Sequence, residues 1–278
     1  MTHPVGKALW FIETRLASEL SLADIAQCSG ISRFHLSRAF GTATGQSVMR
    51  YVRARRLTMA AQQLSDGAPD ILTVALGVGY GSHEAFTRAF RDQFGLTPEA
   101  VRAQRCLDTL PLMEPIIMDE SLIVELEPPR IETGRPLLIA GIGQRYRFET
   151  CQGIPQQWER FTQHIGHVPG QVGNVTYGVC CNADGAGNFE YISGVEVANF
   201  DDIPAEFSRI RIPTQRYAVF SHREHISRMR ATVYTIWNKW LPASGYKHDD
   251  AADFERYDER FDPRTGDGVV EVWVPIEQ

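Results

Sequence analysis

Hydrophobic residues in the first third of the chain recur at the spacing of amphipathic helices. One clear stripe, at positions i, i+3, i+4 and i+7, consists of Val5, Ala8, Leu9, Ile12 and Leu16. Such a stripe gives a helix one face for burial against a core.

Signals for helix starts support this interpretation. Ser21 stands three residues before Asp24, the spacing of a capping box that opens a helix at Leu22. Thr97 directly precedes Pro98, which places a cap and a first-turn proline at the start of another helix. Residues 1 to about 105 are therefore predicted to be entirely helical.

The pattern changes after Cys106. The stretch LDTLPLMEPIIMDES holds two prolines and no sustained period, which is typical of a linker. Short β-rich runs follow, namely LIVELEP, LLIAGIG, VTYGVCC, FEYISGVEV, YAVFSH and VVEVWVPI, with helical stretches around 155–165 and 225–240. They group into two β-α-β-β units, with strands at 137–148, 174–181 and 188–197 in the first and at 216–222, 253–257 and 269–275 in the second.

The predicted fold class is therefore multidomain, with an all-α domain followed by an α+β domain. Two pseudo-twofold β-α-β-β units form an antiparallel sheet with a central cleft, a common place for small molecules. The expected limits are residues 1–107 for the first domain, 108–118 for the linker and 119–278 for the second domain. A length of 278 residues suits about two domains.

Charge is divided unevenly between the two parts. The formal net charge is −6, with +3 on residues 1–108 and −9 on the remainder. A basic module joined to an acidic one is compatible with DNA binding, because phosphate contact needs only a local basic face.

Composition excludes several classes of protein. With 43% hydrophobic and 22% charged residues, the chain has the makeup of a globular protein and not of a disordered one. No run approaches the roughly 20 apolar residues that cross a bilayer, and the polar start lacks a signal-peptide pattern, so we expect a cytoplasmic protein without membrane contact. Five cysteines without a CxxC spacing argue for reduced, mostly packed thiols and against a zinc ribbon.

The helical region contains an internal repeat. The segment IAQCSG at 25–30 recurs as VALGVG at 74–79, at an offset of 49, and SRAF at 37–40 recurs as TRAF at 87–90, at an offset of 50. Each copy has the pattern of a short helix, a glycine turn and a second helix. This pattern predicts two helix-turn-helix units.

The second helix of each copy is expected to bury its apolar residues and to expose the others. The exposed side chains expected to contact DNA are Arg33, Phe34, Ser37 and Arg38 in the first copy and His83, Glu84, Thr87 and Arg88 in the second. Arginine pairs with guanine through two hydrogen bonds and glutamate accepts from cytosine N4, each good pair discriminating by roughly 1–3 kcal/mol. The alternative is that two similar hairpins merely pack together and that their exposed arginines serve solubility.

Residues 21–102 resemble the DNA-binding domain of the AraC/XylS family of transcription regulators. The stretch GYGSHEAFTRAFRDQFGLTPEAVR at 79–102 is close to that family's second helix-turn-helix signature. The resemblance implies a long connecting helix, roughly Ser47 to Leu64, and recognition helices in successive major-groove segments. By motif position, the residues matching DNA-facing positions are Phe34, Ser37 and Arg38, then His83, Glu84 and Arg88. Gly41 departs from the family, which usually has a lysine there, so a phosphate contact is expected to be missing.

Aromatic residues are plentiful where the cleft of the second domain is expected. They are Tyr177, Tyr191, Trp237, Trp240, Tyr257 and Trp273. Glu255 and Glu271 lie on the last strands, and aromatic faces with a partly desolvated carboxylate can hold a lipophilic cation. The alternative is that most of these aromatic residues belong to the core and that the two glutamates are solvated.

Residues 118–277 resemble the GyrI-like effector-binding domain through VTYGV, ISGVEV, RYAVF, IWNKWLPASGY, DFERYDERF and EVWVPI. The two resemblances stand in the order of Rob-like AraC regulators. The second implies that Glu255, the glutamate of the FExY motif, pairs with cationic ligands in a pocket, with Tyr257 beside it.

We therefore predict a ligand-responsive, sequence-specific transcription regulator and not an enzyme. The expected partners are double-stranded DNA and a small apolar or cationic effector, with RNA polymerase left open as a further partner, and no cofactor or metal is expected. One alternative is a GyrI-like small-molecule hydrolase in which Glu255 and Tyr257 serve acid–base roles. Another is a gyrase-inhibitor-like module that binds a protein.

Overall fold

Contacts divide the chain into two compact bodies. The computed structural model describes residues 4–68, 70–118, 122–184 and 187–277, so the predicted domain limits at residues 1, 119 and 278 lie outside the described residues. The first body comprises Met1–Gly30 and Ser47–Met118, and the second comprises Ile31–Gln46 and Asp119–Gln278. Residues 31–46 thus belong with the second body, whereas the sequence places them in the first domain.

The part of the chain before residue 105 forms α-helices. They are α1 Pro4–Glu13, α2 Leu22–Ser29, α3 Arg33–Thr44, α4 Val48–Ser65, α5 Ile71–Gly77, α6 His83–Phe94 and α7 Pro98–Gln104, of which α3 lies in the second body. The predicted helix starts are confirmed. The Ser21 hydroxyl accepts from Asp24 N at 3.2 Å, the Asp24 carboxylate accepts from Ser21 N at 3.1 Å, and Thr97 caps α7 ahead of Pro98.

The core of the first body lies between α4 and the second helical repeat. Its buried side chains include Leu57, Ala61 and Leu64 from α4 and Phe86, Phe90 and Phe94 from α6. The ring centroids of Phe90 and Phe94 are 4.7 Å apart. Gly79 has a φ of 80°, which the turn between α5 and α6 requires and which a glycine adopts without strain. This core fixes one face of α6 and leaves the other face for function.

Apart from α3, the second body is a sheet with helices. Its elements are β1 Arg130–Gly134, β2 Leu137–Arg147, α8 Ile154–Thr162, β3 Gln171–Cys181, β4 Asn188–Val197, β5 Ser208–Ile212, β6 Gln215–His222, α9 Met229–Thr235, α10 Leu241–Ser244, β7 Lys247–His248, β8 Asp253–Asp262 and β9 Asp267–Glu277. A 3-10 turn at Phe148–Gly153 precedes α8 and another at Ile226–Arg228 precedes α9. A π-helical turn at Ile236–Trp240 joins α9 to α10.

The sheet consists of two halves with the same internal order. Its strands pair antiparallel in the order β1-β6-β9-β8-β3-β4-β2-β5, and β7 pairs with β9. The units β2-α8-β3-β4 and β6-α9-β8-β9 meet where β3 pairs with β8. The predicted pair of β-α-β-β units is confirmed.

The expectation of a strand at LIVELEP is wrong. Residues 122–128 lie outside the sheet, and the first strand begins at Arg130. Pro128 ends the run and lacks an N–H to donate to a strand ladder. The backbone N–H of Val124 donates instead to the Thr235 hydroxyl at 3.0 Å.

The cysteines are free thiols, but the expectation that most are packed is wrong. Cys180 and Cys181 are buried in the sheet, whereas Cys28 and Cys106 are exposed and Cys151 is partly exposed. Cys106 follows the end of α7, where the chain leaves the helix.

Candidate effector site and recognition helices

Helix α6 presents a polar face to solvent. Glu84 and Arg88 are exposed, and the His83 side chain is 42% exposed, with Nε2 at 3.5 Å from Glu99 Oε1. Thr87 is partly buried, and its hydroxyl has no hydrogen-bond partner among the described residues. Three of the four side chains predicted to contact DNA from α6 are therefore accessible.

Helix α3 is different, because its predicted DNA-reading face is turned into the second body. Arg33 is exposed, but Phe34 is partly buried, and Ser37 and Arg38 expose only 7% and 8% of their surface. The expectation that Ser37 and Arg38 face outward is wrong. Helix α3 lies in a groove, here called the α3 groove, lined by Phe148, Phe189, Trp237, His248 and Asp253.

A buried ion pair lies at the centre of the α3 groove. Arg38 Nη2 donates to Asp253 Oδ2 at 2.5 Å, and the guanidinium carbon lies 5.5 Å from the Trp237 ring and 5.8 Å from the Phe189 ring. Arg38 Nε and Asp253 Oδ1 are buried without a hydrogen-bond partner among the described residues. Burial raises the pKa of Asp253 above 3.8 even though the Arg38 charge acts to lower it.

An aromatic contact fixes the start of α3. The Phe34 ring stacks on the His248 imidazole, with centroids 4.5 Å apart and an interplanar angle of 2°. Burial, followed by the nearby charges of His35 and Arg38, lowers the pKa of His248 to about 3, so this imidazole is neutral. A neutral ring is a suitable stacking partner for phenylalanine.

The π-helical turn supplies several of the hydrogen bonds along α3. His35 Nε2 and the Trp237 carbonyl oxygen are 2.9 Å apart. Asn238 Nδ2 donates to the Ala39 carbonyl at 3.3 Å and to Thr42 Oγ1 at 3.2 Å. Turns of this kind often occur at functional positions, because they offset the regular ladder of backbone hydrogen bonds.

Gly41 allows α3 to approach the groove closely. A Cβ atom at this position would lie 2.4 Å from the Phe148 ring, which is closer than real Cβ contacts. Phe148 is itself buried and lies against Phe189, with centroids 5.4 Å apart. Any larger residue at position 41 would therefore push α3 away from the groove.

Glu255 is the partly buried carboxylate of the predicted effector site. Its Oε2 accepts from the Tyr191 hydroxyl at 2.6 Å and from the Tyr257 hydroxyl at 3.0 Å, and Trp158 Nε1 donates to the Tyr191 hydroxyl at 3.0 Å. Burial raises the pKa of Glu255 above 4.5, although the two tyrosine hydrogen bonds act against it. A Cβ atom at Gly178 would lie 2.0 Å from the Tyr191 hydroxyl, so the glycine provides the room for this cluster. Among the described residues, Glu255 has no ion-pair partner within 4 Å.

Glu271 has a different environment. Its oxygens accept from Arg260 at 2.8 Å, Arg130 at 3.0 Å and Arg256 at 3.2 Å. Burial acts to raise the pKa of Glu271, but the hydrogen bonds, led by that of Arg260, hold it below 4.5. Because three arginines already neutralise this carboxylate, it stabilises the sheet and is not available to a cation.

The predicted aromatic residues do not line a single cleft. Tyr191 and Tyr257 contact Glu255, while Trp237 lies beside α3 and Trp240 packs on Phe220 at 4.8 Å. Tyr177 and Trp273 line a separate cavity of about 300 Å³ with Tyr217, Phe254 and Arg256. Alternation along β8 explains the division, because Asp253, Glu255 and Tyr257 point to one face of the sheet while Phe254 and Arg256 point to the other.

Sequence reasoning missed Asp253, Asn238 and His248. Asp253 stands two residues before Glu255 in the segment DFERY, so strand alternation places both carboxylates on one face. This signal was readable from the sequence. The contacts of Asn238 and His248 depend on α3, which is about 200 residues away along the chain.

Neither a metal centre nor a membrane span is evident in the described ranges. No group of three or more potential metal-ligating side chains occurs there, and no helix is long and apolar enough to cross a bilayer.

Comparison with known proteins covers nearly all of the chain. Residues 127–277 match the family model of the GyrI-like small molecule binding domain, and residues 25–104 match that of a helix-turn-helix domain. The transcriptional regulator Rob of Salmonella typhimurium is 27% identical over 283 residues, which cover 97% of this chain and 96% of the relative. The multiple antibiotic resistance protein MarA of Salmonella typhimurium is 38% identical over 98 residues, which cover 35% of this chain and 77% of the relative. The transcriptional regulator BrlR of Pseudomonas aeruginosa is 32% identical over 139 residues, which cover 49% of this chain and 51% of the relative.

Proposed function

Because the chain belongs to the family with a GyrI-like small molecule binding domain, and because a helix-turn-helix domain precedes it, we propose a transcription regulator that senses a small cation. The resemblance to AraC-type regulators is confirmed by the match to the helix-turn-helix model and by the identity with Rob and MarA. The ligand-responsive, DNA-binding function follows from the two domains together.

The environment of Glu255 supports a cation as the ligand. This carboxylate has two tyrosine hydroxyl donors, aromatic neighbours and no ion-pair partner among the described residues. A cation placed there gains both charge pairing and contact with aromatic faces. A neutral ligand would leave the charge of Glu255 unpaired, which is costly in a desolvated site.

Tetraphenylphosphonium is a suitable probe for this proposal, because its charge is shielded by apolar rings. We expect isothermal titration calorimetry to detect its binding to the full chain. Glu255→Gln should weaken that binding by about 2 kcal/mol or more, roughly 30-fold, since it removes one partner of a buried charge pair. The matched control is Glu259→Gln on the same strand, whose side chain is exposed. Equal binding by Glu255→Gln and wild type would refute the proposed site.

On the DNA side, α6 is proposed to enter the major groove with His83, Glu84, Thr87 and Arg88. The exposure of Glu84 and Arg88 supports this role. DNA selected by the protein from a random-sequence library provides the probe. Arg88→Ala should weaken binding to it by about 1–3 kcal/mol and remove preference at one base position. The control Arg264→Ala removes the same charge from a side chain that is 87% exposed on the β8–β9 turn. Unchanged affinity and preference in Arg88→Ala would place the reading residues elsewhere.

We propose a second DNA-reading set on α3, available when that helix leaves its groove, which consists of Arg33, Phe34, Ser37 and Arg38.

RNA polymerase remains a proposed partner, to be tested by capture on immobilised full-length protein. We also propose that the chain acts by binding and not by catalysis, as the relatives named as regulators support. Ester hydrolysis by the wild type that is lost in Glu255→Gln would contradict this.

A further inference from the structure

Helix α3 and the effector site lie on the same face of the sheet. We propose that α3 and a cationic effector compete for this face, with the Arg38 guanidinium in the place of the effector's cation and Asp253 as a second carboxylate of the site. Binding of the effector then releases the DNA-reading face of α3. This inference rests on the proposed function, since it assumes a cation site at Glu255 and DNA reading by α3.

The same side chains of α3 serve two predicted contacts. Phe34 and Arg38 belong to the face of α3 predicted to contact DNA, and the same two side chains stack on His248 and pair with Asp253. Base edges in a major groove are reached only by side chains free to project from the helix. Helix α3 in its groove therefore cannot read DNA with these residues.

The α3 groove has the chemistry of a cation site, and the Arg38 guanidinium already occupies it. Asp253 and Glu255 are two residues apart on β8 and share one face of the sheet. The Arg38 guanidinium lies within 6 Å of two aromatic rings, Trp237 and Phe189, the distance typical of a cation–π contact. An effector cation bound beside these carboxylates would meet the Arg38 charge, so both cannot occupy the site.

Several polar atoms between α3 and the α3 groove lack hydrogen-bond partners among the described residues. The Arg38–Asp253 pair has one hydrogen bond, and Arg38 Nε, Asp253 Oδ1 and both His248 nitrogens have no partner among the described residues. A buried ion pair recovers the cost of its desolvation only when its remaining donors and acceptors are also paired. A ligand can therefore displace α3 from the α3 groove.

Gly41 lies at the closest approach of α3 to Phe148. A Cβ atom at this position would approach the Phe148 ring to 2.4 Å. A glycine at position 41 is thus required for α3 to lie in the α3 groove.

Hydrogen–deuterium exchange on the full-length chain tests the competition directly. Saturating tetraphenylphosphonium should increase exchange in peptides covering residues 33–44, while peptides covering α6 at 83–94 serve as the internal control. Unchanged or slower exchange in 33–44, with the probe shown by calorimetry to be bound, would overturn the inference and leave the cation site standing. If calorimetry detects no binding, the proposed ligand class fails and the inference fails with it.

Two variants test how α3 is held in the α3 groove, without relying on the probe's effect on α3. Gly41→Ala should displace α3 from the α3 groove, so hydrogen exchange in residues 33–44 should rise without ligand. Tetraphenylphosphonium should then bind several-fold more tightly, because α3 no longer reduces the fraction of molecules that can bind it. The control Gly77→Ala adds a Cβ that meets nothing within 4 Å and should leave probe affinity unchanged. Asp253→Asn should likewise raise exchange in 33–44 without ligand, whereas Asp262→Asn, at an exposed pair, should not. If residues 33–44 exchange as in wild type in both Gly41→Ala and Asp253→Asn, these contacts do not hold α3 in the α3 groove.

Discussion

Replacing Arg38 with methionine is expected to destabilise the second body in a pH-dependent way. Methionine keeps much of the packing between Trp237 and Phe189 but leaves Asp253 buried without its cation. Breaking a buried pair by removing one partner costs about 3–5 kcal/mol while the remaining charge persists. For a body of this size, that loss corresponds to a melting temperature lower by roughly 6–20 °C.

The sign of the pH dependence follows from the direction of the pKa shift. Burial already raises the pKa of Asp253, and loss of Arg38 removes the charge that opposes this rise. An acid whose pKa is higher in the folded than in the unfolded state binds its proton more tightly when folded, so stability is recovered as the pH falls. The deficit of Arg38→Met should therefore be largest at alkaline pH and shrink as the pH falls through the raised pKa of Asp253.

Differential scanning calorimetry of four proteins measures this effect. Arg38→Met combined with Asp253→Leu should recover most of the loss, since replacing both partners by apolar residues is often neutral or stabilising. Arg264→Met, at a side chain that is 87% exposed, should leave the melting temperature close to that of wild type. A melting temperature of Arg38→Met equal to that of wild type at alkaline pH, with no recovery in the double variant, would refute the description of Asp253 as a charge that depends on Arg38.

Three further outcomes follow from the sheet. Tetraphenylphosphonium binding should weaken as the pH falls, over a range above the ordinary value of 4.5, because the raised pKa of Glu255 lets it take up a proton early; affinity that is constant across this range would contradict the role of its charge. Gly178→Ala should abolish probe binding, because its Cβ would collide with the Tyr191 hydroxyl, and calorimetry would show this directly. Glu271→Gln should lower the melting temperature without a specific loss of probe affinity, since it removes the buried charge that three partly exposed arginines contact; a selective loss of affinity would instead place Glu271 in the site.

Elements with local signals were predictable from the sequence. The capping box of α2 involves Ser21 and Asp24, three residues apart, and the start of α7 involves adjacent residues. The two β-α-β-β units were predictable because the local pattern of hydrophobic residues indicates most of their strands individually. Glu255 was found through a motif carried by one strand.

Burial that depends on distant residues was not predictable in this way. The helical period of α3 predicts an exposed Arg38, but the side chain is buried by Phe189, Trp237 and Asp253, which lie about 150 to 215 residues away along the chain. Trp237 and Trp240 are three residues apart, yet one contacts α3 and the other packs on Phe220, because a π-helical turn shifts the phase of that helix. Helical periodicity alone does not reveal such a shift.

The join between the two halves of the sheet limits how alike those halves can be. Gly178 on β3 is the register partner of Glu255 on β8, and the space above the glycine is filled by the carboxylate and the Tyr191 hydroxyl. A second acidic residue at position 178 would have no room and would repel the first. Because the carboxylates of the site lie on β8 alone, the duplicated architecture is expected to bind one ligand per polypeptide.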